Sequence, residues 1–401
     1  VIYFSTMNHQ LKLKKLVSEV YPEAVRLRRA IHANPELSGK EVKTAKLVFD
    51  YLSGLGLKPR YHCKKTGVSV RIQNGAGKTV ALRADMDALP ITEQNDLPYK
   101  SKIPGVMHAC GHDIHAACLL GCAKVFCQAR DSWRGKIILM FQPHEEVAPG
   151  GALGLIAEGA FPRDAAAVLG LHASAEHEAG RIGIKPGRDY AGVMDFEVTV
   201  TGKGAHAATP HLSIDPIVCA CSIITNLQTV ISRRDAPHEP SVLTVGAINA
   251  GTKNNIIPDT ARFCGTIRAF SDRQLSRISR DLREVAKGIA RAFGAQAAIT
   301  FERSYPSGYN DEALSMRAIK AIGDLLGKRA VEQRSDPVLL ADDFAYFQKQ
   351  APGLYLHLGV AHPEKKRRPS AGIHSSRFLP DERSLETGIT ALTGLAIDIL
   401  T

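Results

Sequence analysis

Two short segments combine residue types that can do chemistry: His108-Ala109-Cys110-Gly111-His112-Asp113-Ile114-His115 and, further along, Gln142-Pro143-His144-Glu145-Glu146. The first sets a thiol and imidazoles at gaps of one and two residues, which suits a turn wrapped around a cation better than one face of a helix. The second places two adjacent carboxylates after an apolar run, Lys136-Ile137-Ile138-Leu139-Met140-Phe141, that reads as a buried strand. Side chains alternate faces along extended chain, so one of two neighbouring glutamates can bind metal while the other carries protons. Taken singly, a buried cysteine is usually core filler, His108 a satisfied core histidine and a glutamate pair a solvated surface. Two further histidines in similar settings shift the balance toward a metal site. His172 closes an apolar run that starts at Ala165, and His374 precedes Ser375-Ser376-Arg377-Phe378.

The elements that must position these residues alternate in type. After a charged helical stretch at 11–34 come a strand at 79–85, a helix at 115–129, a strand at 137–141, a helix at 151–158 and a strand at 165–172. That rhythm predicts an α/β sheet with helices on both faces, its chemistry gathered at or just beyond the strand ends. From Tyr190 the rhythm changes to strand 193–201, helix 215–233, strands 241–250 and 262–270, helix 271–293 and strand 297–303. This β-α-β-β-α-β order is the ferredoxin-like motif. The apolar patterns at 338–340 and 354–360, and the late His374, are expected to return to the opening sheet. The division is therefore a discontinuous first domain, 1–189 and 304–401, with 190–303 inserted in it.

With 401 residues, 44% of them hydrophobic and 23% charged, the chain is long enough for two or three ordinary globular cores. The net charge of +11 is dispersed. The one dense basic run, Lys365-Lys366-Arg367-Arg368, lies in a Pro-flanked loop and reads as solvated, which argues against a nucleic-acid partner. A milder consequence is attraction of small carboxylates. Eight cysteines without small-scaffold spacing point to free thiols in a reducing compartment, the cytoplasm; Cys118 and Cys122 read as a buried helical stripe. No stretch approaches the roughly 20 apolar residues that span a bilayer. Val1-Ile2-Tyr3-Phe4 is too short for a signal-peptide core, and Met7 is a candidate natural start, which would make residues 1–6 an upstream extension.

Six spaced motifs carry a resemblance over nearly the whole chain: Leu82-Arg83-Ala84-Asp85-Met86-Asp87-Ala88-Leu89-Pro90, the His108–His115 segment, Phe141-Gln142-Pro143-His144-Glu145-Glu146, Gly202-Lys203-Gly204-Ala205-His206-Ala207-Ala208, Asn254-Asn255-Ile256-Ile257-Pro258 and His374. In this order they resemble the dinuclear metallo-amidohydrolases, a group of aminoacylases, carboxypeptidases and dipeptidases. The Cys110-Gly111-His112-Asp113 version is similar to the branch of hippurate hydrolases, N-acyl-amino-acid amidohydrolases and indole-acetyl-amino-acid hydrolases.

The resemblance implies a mixed-sheet, zinc-peptidase-like catalytic domain with an inserted ferredoxin-like lid and dimerisation domain. It implies Cys110, His112, Glu146, His172 and His374 as ligands to two divalent ions per subunit, zinc, manganese or cobalt, and Glu145 as general base. Asp87 corresponds to a carboxylate that orients a ligand; Asp113 has only its proximity to recommend it. His206 resembles a histidine that stabilises the tetrahedral oxyanion, and Asn255 and Arg268 a polar clamp on the substrate carboxylate, against a bland reading of Arg268 as a strand-end surface residue. The chemistry agrees: amide hydrolysis at neutral pH needs an activated water and a proton for the departing amine.

The implied reaction is hydrolysis of an N-acyl-L-amino acid to a carboxylic acid and a free amino acid, by a homodimer. A dipeptidase or carboxypeptidase is the rival enzyme reading, although those branches carry His where Asp85 stands. A metal-binding or small-acid-binding module on a degenerate scaffold is the non-enzymatic rival, and it has no use for Glu145 beside Glu146. Three positions depart from the pattern: His144 stands where a small residue is usual, Asp342-Asp343-Phe344 replaces Glu-Asp-Phe, and Gly204-Ala205-His206 replaces Gly-Gly-His.

Overall fold

A computed structural model of the chain describes residues 2–362 and 371–401, with side chains from residue 10 onward. Its contacts divide into two compact units, residues 1–187, 309–336 and 343–401 in one, and 188–308 with 337–342 in the other.

The first unit is built on an eight-stranded mixed sheet. Its spatial order is Arg60–His62, Gly67–Asn74, Gly135–Gln142, Thr79–Asp85, Ala165–Glu178, Gly353–Ala361, Ile182–Ile184 and Val331–Gln333. The four strands from Gly135–Gln142 to Gly353–Ala361 run parallel. Every residue of Thr79–Asp85 is buried, the unbroken pattern of a parallel strand covered on both faces rather than an alternating one. Helices Ile2–His32, His112–Gln128 and Ser384–Leu400 pack against one another and share a continuous apolar core with the sheet. In the register, Asp85 stands beside Gln142 and Arg83 beside Gly170. Two adjacent strands therefore end at the same edge, where Asp87 and Glu145-Glu146 follow, and His172 lies within the neighbouring strand Ala165–Glu178, two residues past Gly170.

The second unit has strands Gly192–Thr201, Ser241–Ala250, Thr260–Ala269 and Gln296–Tyr305 with helices Pro216–Arg234 and Asp272–Ala292. All strand pairs are antiparallel, in the order 241–250, 260–269, 192–201, 296–305. Alternate residues such as Phe196, Val198, Phe263 and Ile267 meet Ile223, Leu227, Ile278 and Leu282 from the two helices in a second core. Connectivity and strand order are those of a ferredoxin-like fold. Asp215 and Ser271 begin the helices by accepting from the Ile217 and Gln274 amides.

Three expectations need correction. Residues 338–340 do not join the large sheet: Val338 bridges Tyr190 and its amide donates to the Asp189 carbonyl at 2.8 Å, while Leu340 stays 46% exposed. The edge strand is Val331–Gln333 instead, a run too short and too polar to announce itself. The first helix already runs from Ile2, and the helix expected at 115 starts at His112, so only Cys110 and Gly111 of that motif lie in a turn. The basic run at 365–368 lies outside the described residues. All eight cysteines are free. Among the described residues no helix is long and apolar enough to cross a membrane.

Candidate metal centre

Gly111 makes the first half of the site possible. It holds φ +92°, and a Cβ there would come within 2.6 Å of the Ala173 Cβ. Only glycine lets the turn press so closely on the strand that carries His172. As a result the Cys110 Sγ lies 3.5 Å from His172 Nε2. His374 also holds a left-handed backbone, φ +63°, and its amide donates to the Ala109 carbonyl at 2.7 Å, which ties a residue far along the chain to the same turn.

The second half follows strand Gly135–Gln142. Glu146 Oε1 lies 3.8 Å from His112 Nε2 and 3.4 Å from His374 Nε2. Ligand atoms of Cys110, His112 and His172 cluster within 4.8 Å of one another, as do those of Cys110, Glu146 and His374, and of His112, Glu145 and Glu146. The structure therefore brings all five expected ligands and Glu145 together from four separate stretches of chain.

These donors suit divalent cations. His112 Nδ1 donates to Asp87, at 2.9 Å to its carbonyl and 3.2 Å to Oδ1, which leaves Nε2 as the lone-pair nitrogen. That Nε2 and Glu146 Oε1 are both buried without a hydrogen-bond partner. A buried polar atom without a partner is uncommon unless an ion or water serves it. Burial alone would lower the His112 pKa, but Asp85, Asp87 and Glu146 raise it to about 10, so the carboxylates around this ring favour a positive charge beside it, a proton or a bound cation. Burial, then Glu146, Glu145 and Asp85, push the Cys110 thiol well above its ordinary value, and a bound cation is what would make it a thiolate.

Asp87, expected to orient a ligand, accepts from both His112 Nδ1 and the Glu146 amide. Burial pushes its pKa up, yet hydrogen bonds from His112, the Glu146 amide and Ser38 outweigh that and hold it below its ordinary value. Asp113 is buried but turned elsewhere: it accepts from Arg28 Nε at 2.7 Å and from His32 Nδ1 at 2.8 Å, and so ties the first helix to the helix that begins at His112.

Another candidate cluster, Asp85, His112 and His115, competes for the same cation chemistry. His115 does not fit it. Its Nδ1 donates to Asp85 Oδ1 at 2.6 Å and its Nε2 accepts from the Ala173 amide at 2.8 Å, so neither nitrogen has a lone pair free for metal. Asp85 is held in turn by Arg83 Nη1 at 2.6 Å, and Arg83 also bonds Asp343, Gln142 and Tyr355. Burial alone would raise the Asp85 carboxyl; His112, Arg83 and His115 keep it well below the carboxylate range. The chain Arg83, Asp85, His115 ends on the backbone next to His172 and serves as a brace for that strand.

In the second unit, His206 and Asn255 lie side by side. His206 pairs with Ile256 in a two-stranded ladder, and the Ala207 amide donates to the Asn255 carbonyl at 3.1 Å. The His206 ring is exposed and its Nδ1 accepts from the Ala208 amide at 3.1 Å. Arg268 stands on Thr260–Ala269, half-buried, with Nη1 donating to the Leu339 carbonyl at 2.7 Å. Asp342 is buried in this unit.

A family model for peptidase family M20/M25/M40 matches residues 81–398, and the chain belongs to that family. It is 39% identical over 390 residues to thermostable carboxypeptidase 2 of Saccharolobus solfataricus, covering 96% of this chain and 98% of that protein. It is 38% identical over 386 residues to IAA-amino acid hydrolase ILR1-like 2 of Arabidopsis thaliana, covering 95% of this chain and 86% of that one. Among solved structures it is similar to the Bacillus subtilis YXEP protein, described as a dinuclear metal binding peptidase of family M20. That match has a TM-score of 0.84 and 32% identity, and covers 96% of this chain and 99% of the other.

Proposed function

We propose that this family M20 hydrolase cleaves the amide bond of N-acyl-L-amino acids, releasing a carboxylic acid and a free amino acid, with two divalent cations held by Cys110, His112, Glu146, His172 and His374. The observation that carries the reading is the convergence of these donors, two of them buried and unpartnered, on a place where a further carboxylate, Glu145, is also present. Cations bound there supply Lewis acidity toward water and the amide carbonyl. Glu145, buried and next in sequence to a ligand, accepts the proton of the attacking water and delivers it to the amine nitrogen as the C–N bond breaks. Asp87 keeps His112 in the tautomer that presents Nε2. His206 donates to the developing oxyanion, and Asn255 and Arg268 hold the free carboxylate of the substrate, a task for which a guanidinium is well shaped.

A homodimer through residues 190–303, acting also as a lid, completes the proposal. Support comes from strand Ser241–Ala250, which stands at the edge of its sheet with Ile248 47% exposed, an edge that a symmetry mate can extend. Eight free thiols suit a reducing compartment, and we place the enzyme in the cytoplasm.

The test is a panel of N-acetyl, N-benzoyl and indole-acetyl amino acids beside plain dipeptides, assayed with metal-loaded protein. Turnover of the acyl conjugates with little on the dipeptides supports the reading; the reverse favours the carboxypeptidase or dipeptidase alternative that the Saccharolobus relative suggests.

A further inference from the structure

The segment 36–41 supplies none of the proposed ligands, yet its hydrogen bonds reach the backbone on either side of Glu145, the His144 amide directly and the Glu146 amide through Asp87. It is itself fastened through Glu36. The Glu36 carbonyl accepts from the Ala88 amide at 2.8 Å, and the Glu36 carboxylate accepts from the Thr44 amide at 2.8 Å at the start of helix Val42–Gly54.

From this strap two side chains reach toward the pair. Ser38 Oγ donates to Asp87 Oδ2 at 2.7 Å, the same oxygen that accepts the Glu146 amide at 2.9 Å. Glu41, with 0% exposure, uses Oε1 to accept the Gly39 amide and the His144 amide, each at 2.8 Å. His144 sits at φ +60°, a left-handed conformation that a residue with a Cβ seldom adopts unless its surroundings impose it. The residue after it is Glu145. Gly39, at φ +75°, leaves the room: a Cβ there would stand 3.2 Å from His144 Nδ1.

We propose that Glu41 and Ser38 are positioning residues for the catalytic pair, Glu41 setting the turn at His144 that aims Glu145, and Ser38 setting Asp87, which holds the Glu146 amide and His112. The proposal rests on the reading of Glu145 as proton carrier and Glu146 as ligand, and it separates the two supports. Loss of the Glu41 contact lets the turn relax and moves the base. Loss of the Ser38 contact loosens a ligand.

The experiment compares Glu41→Ala, Glu41→Gln and Ser38→Ala as metal-loaded protein. It measures kcat and KM on an acyl amino acid, zinc affinity by chelator competition, and hydrogen exchange at the His144 amide. Glu41→Ala should lose on the order of tenfold to a hundredfold in kcat, with KM and zinc affinity near the parent and faster exchange at His144. Glu41→Gln should recover most of that kcat, because its amide oxygen still accepts both N–H groups. Ser38→Ala should instead lower zinc affinity by about tenfold.

Unchanged kcat in folded Glu41→Ala, a kcat loss that merely tracks lost zinc, or a Glu41→Gln variant as impaired as Glu41→Ala would overturn the proposal. If Glu41→Ala does not fold, Glu41→Asp replaces it, since it keeps the charge but draws the oxygen back by one methylene. The same kcat-only loss is then expected, and full activity overturns the idea. If the parent hydrolyses none of the substrates, the functional reading fails by itself. The strap is then judged by exchange and zinc affinity, and a His144 amide that exchanges no faster without the Glu41 carboxylate overturns it.

Discussion

Replacing His115 with phenylalanine distinguishes a brace from a ligand. The ring is buried, and the substitution keeps a flat aromatic ring, slightly larger, while removing both of its hydrogen bonds, to Asp85 at 2.6 Å and from the Ala173 amide at 2.8 Å. A buried bond to a charged carboxylate contributes about 1.5–3 kcal/mol, and an orphaned amide costs about 1–3 kcal/mol. Because Arg83 still holds Asp85, the sum should fall on the order of 3–5 kcal/mol of stability, readable by urea unfolding of metal-free protein. The strand carrying His172 then loses its brace, and metal affinity should drop by about 10–100-fold, while saturating metal still fills both places. Zinc titration with elemental analysis gives the stoichiometry. Loss of one full equivalent at saturation, with the other bound as tightly as before, would mean that His115 is itself a ligand and that the Asp85, His112, His115 cluster is a metal site.

Other consequences are equally open to measurement. Burial, with Asp87 adding to it, raises the Glu41 carboxyl from 4.5 to about 7. A carboxyl whose folded-state pKa lies above its unfolded value contributes most below pH 4.5, and that contribution is lost as pH rises through about 7. Metal-free Glu41→Gln should therefore gain on the parent by on the order of 3 kcal/mol between pH 4.5 and pH 8 in unfolding titrations, and a pH-independent difference would refute the shift. Arg268→Ala, or amidation of the substrate carboxylate, should cost about 2 kcal/mol or more in kcat/KM, and equal efficiency on free and amidated substrates removes Arg268 from the site. If His206 serves the neighbouring subunit, mixing His206→Ala with Glu145→Gln subunits should restore activity once mass spectrometry shows exchange, whereas inactive mixed dimers confine His206 to its own chain.

The parts of this molecule that can be read along the chain are those whose cause is local. Strand Thr79–Asp85 and the ferredoxin-like unit declare themselves because apolar periodicity follows from which faces are covered. Cys110, His112 and the glutamate pair stand out because their residue types are rarely grouped without purpose. What escapes is whatever depends on distant partners. Ser38 and Glu41 are ordinary residues in an unremarkable stretch, and only the fold brings them to Asp87 and the His144 turn. His115 closes the same motif without being one of the expected ligands, and only the fold shows that Asp85 and the Ala173 amide occupy both of its nitrogens. Asp113 beside a ligand suggested a supporting carboxylate, but Arg28 and His32, distant in sequence, claim it. The apolar triplet at 338–340 was expected in the sheet for its composition alone, and exposure of Leu339 and Leu340 shows how little three residues can specify.

Metal content measured together with turnover in Glu145→Gln and Glu146→Gln decides whether two adjacent glutamates divide the roles of proton carrier and ligand. Glu145→Gln should keep its full complement of metal while the rate falls by roughly 10³, because it loses the proton carrier and spares the ligands. Glu146→Gln should bind metal weakly, since it replaces with a neutral amide a carboxylate whose Oε1 lies within 4 Å of both His112 and His374 Nε2. Equal metal content and equal rates in the two variants would mean that the two glutamates do not divide these roles.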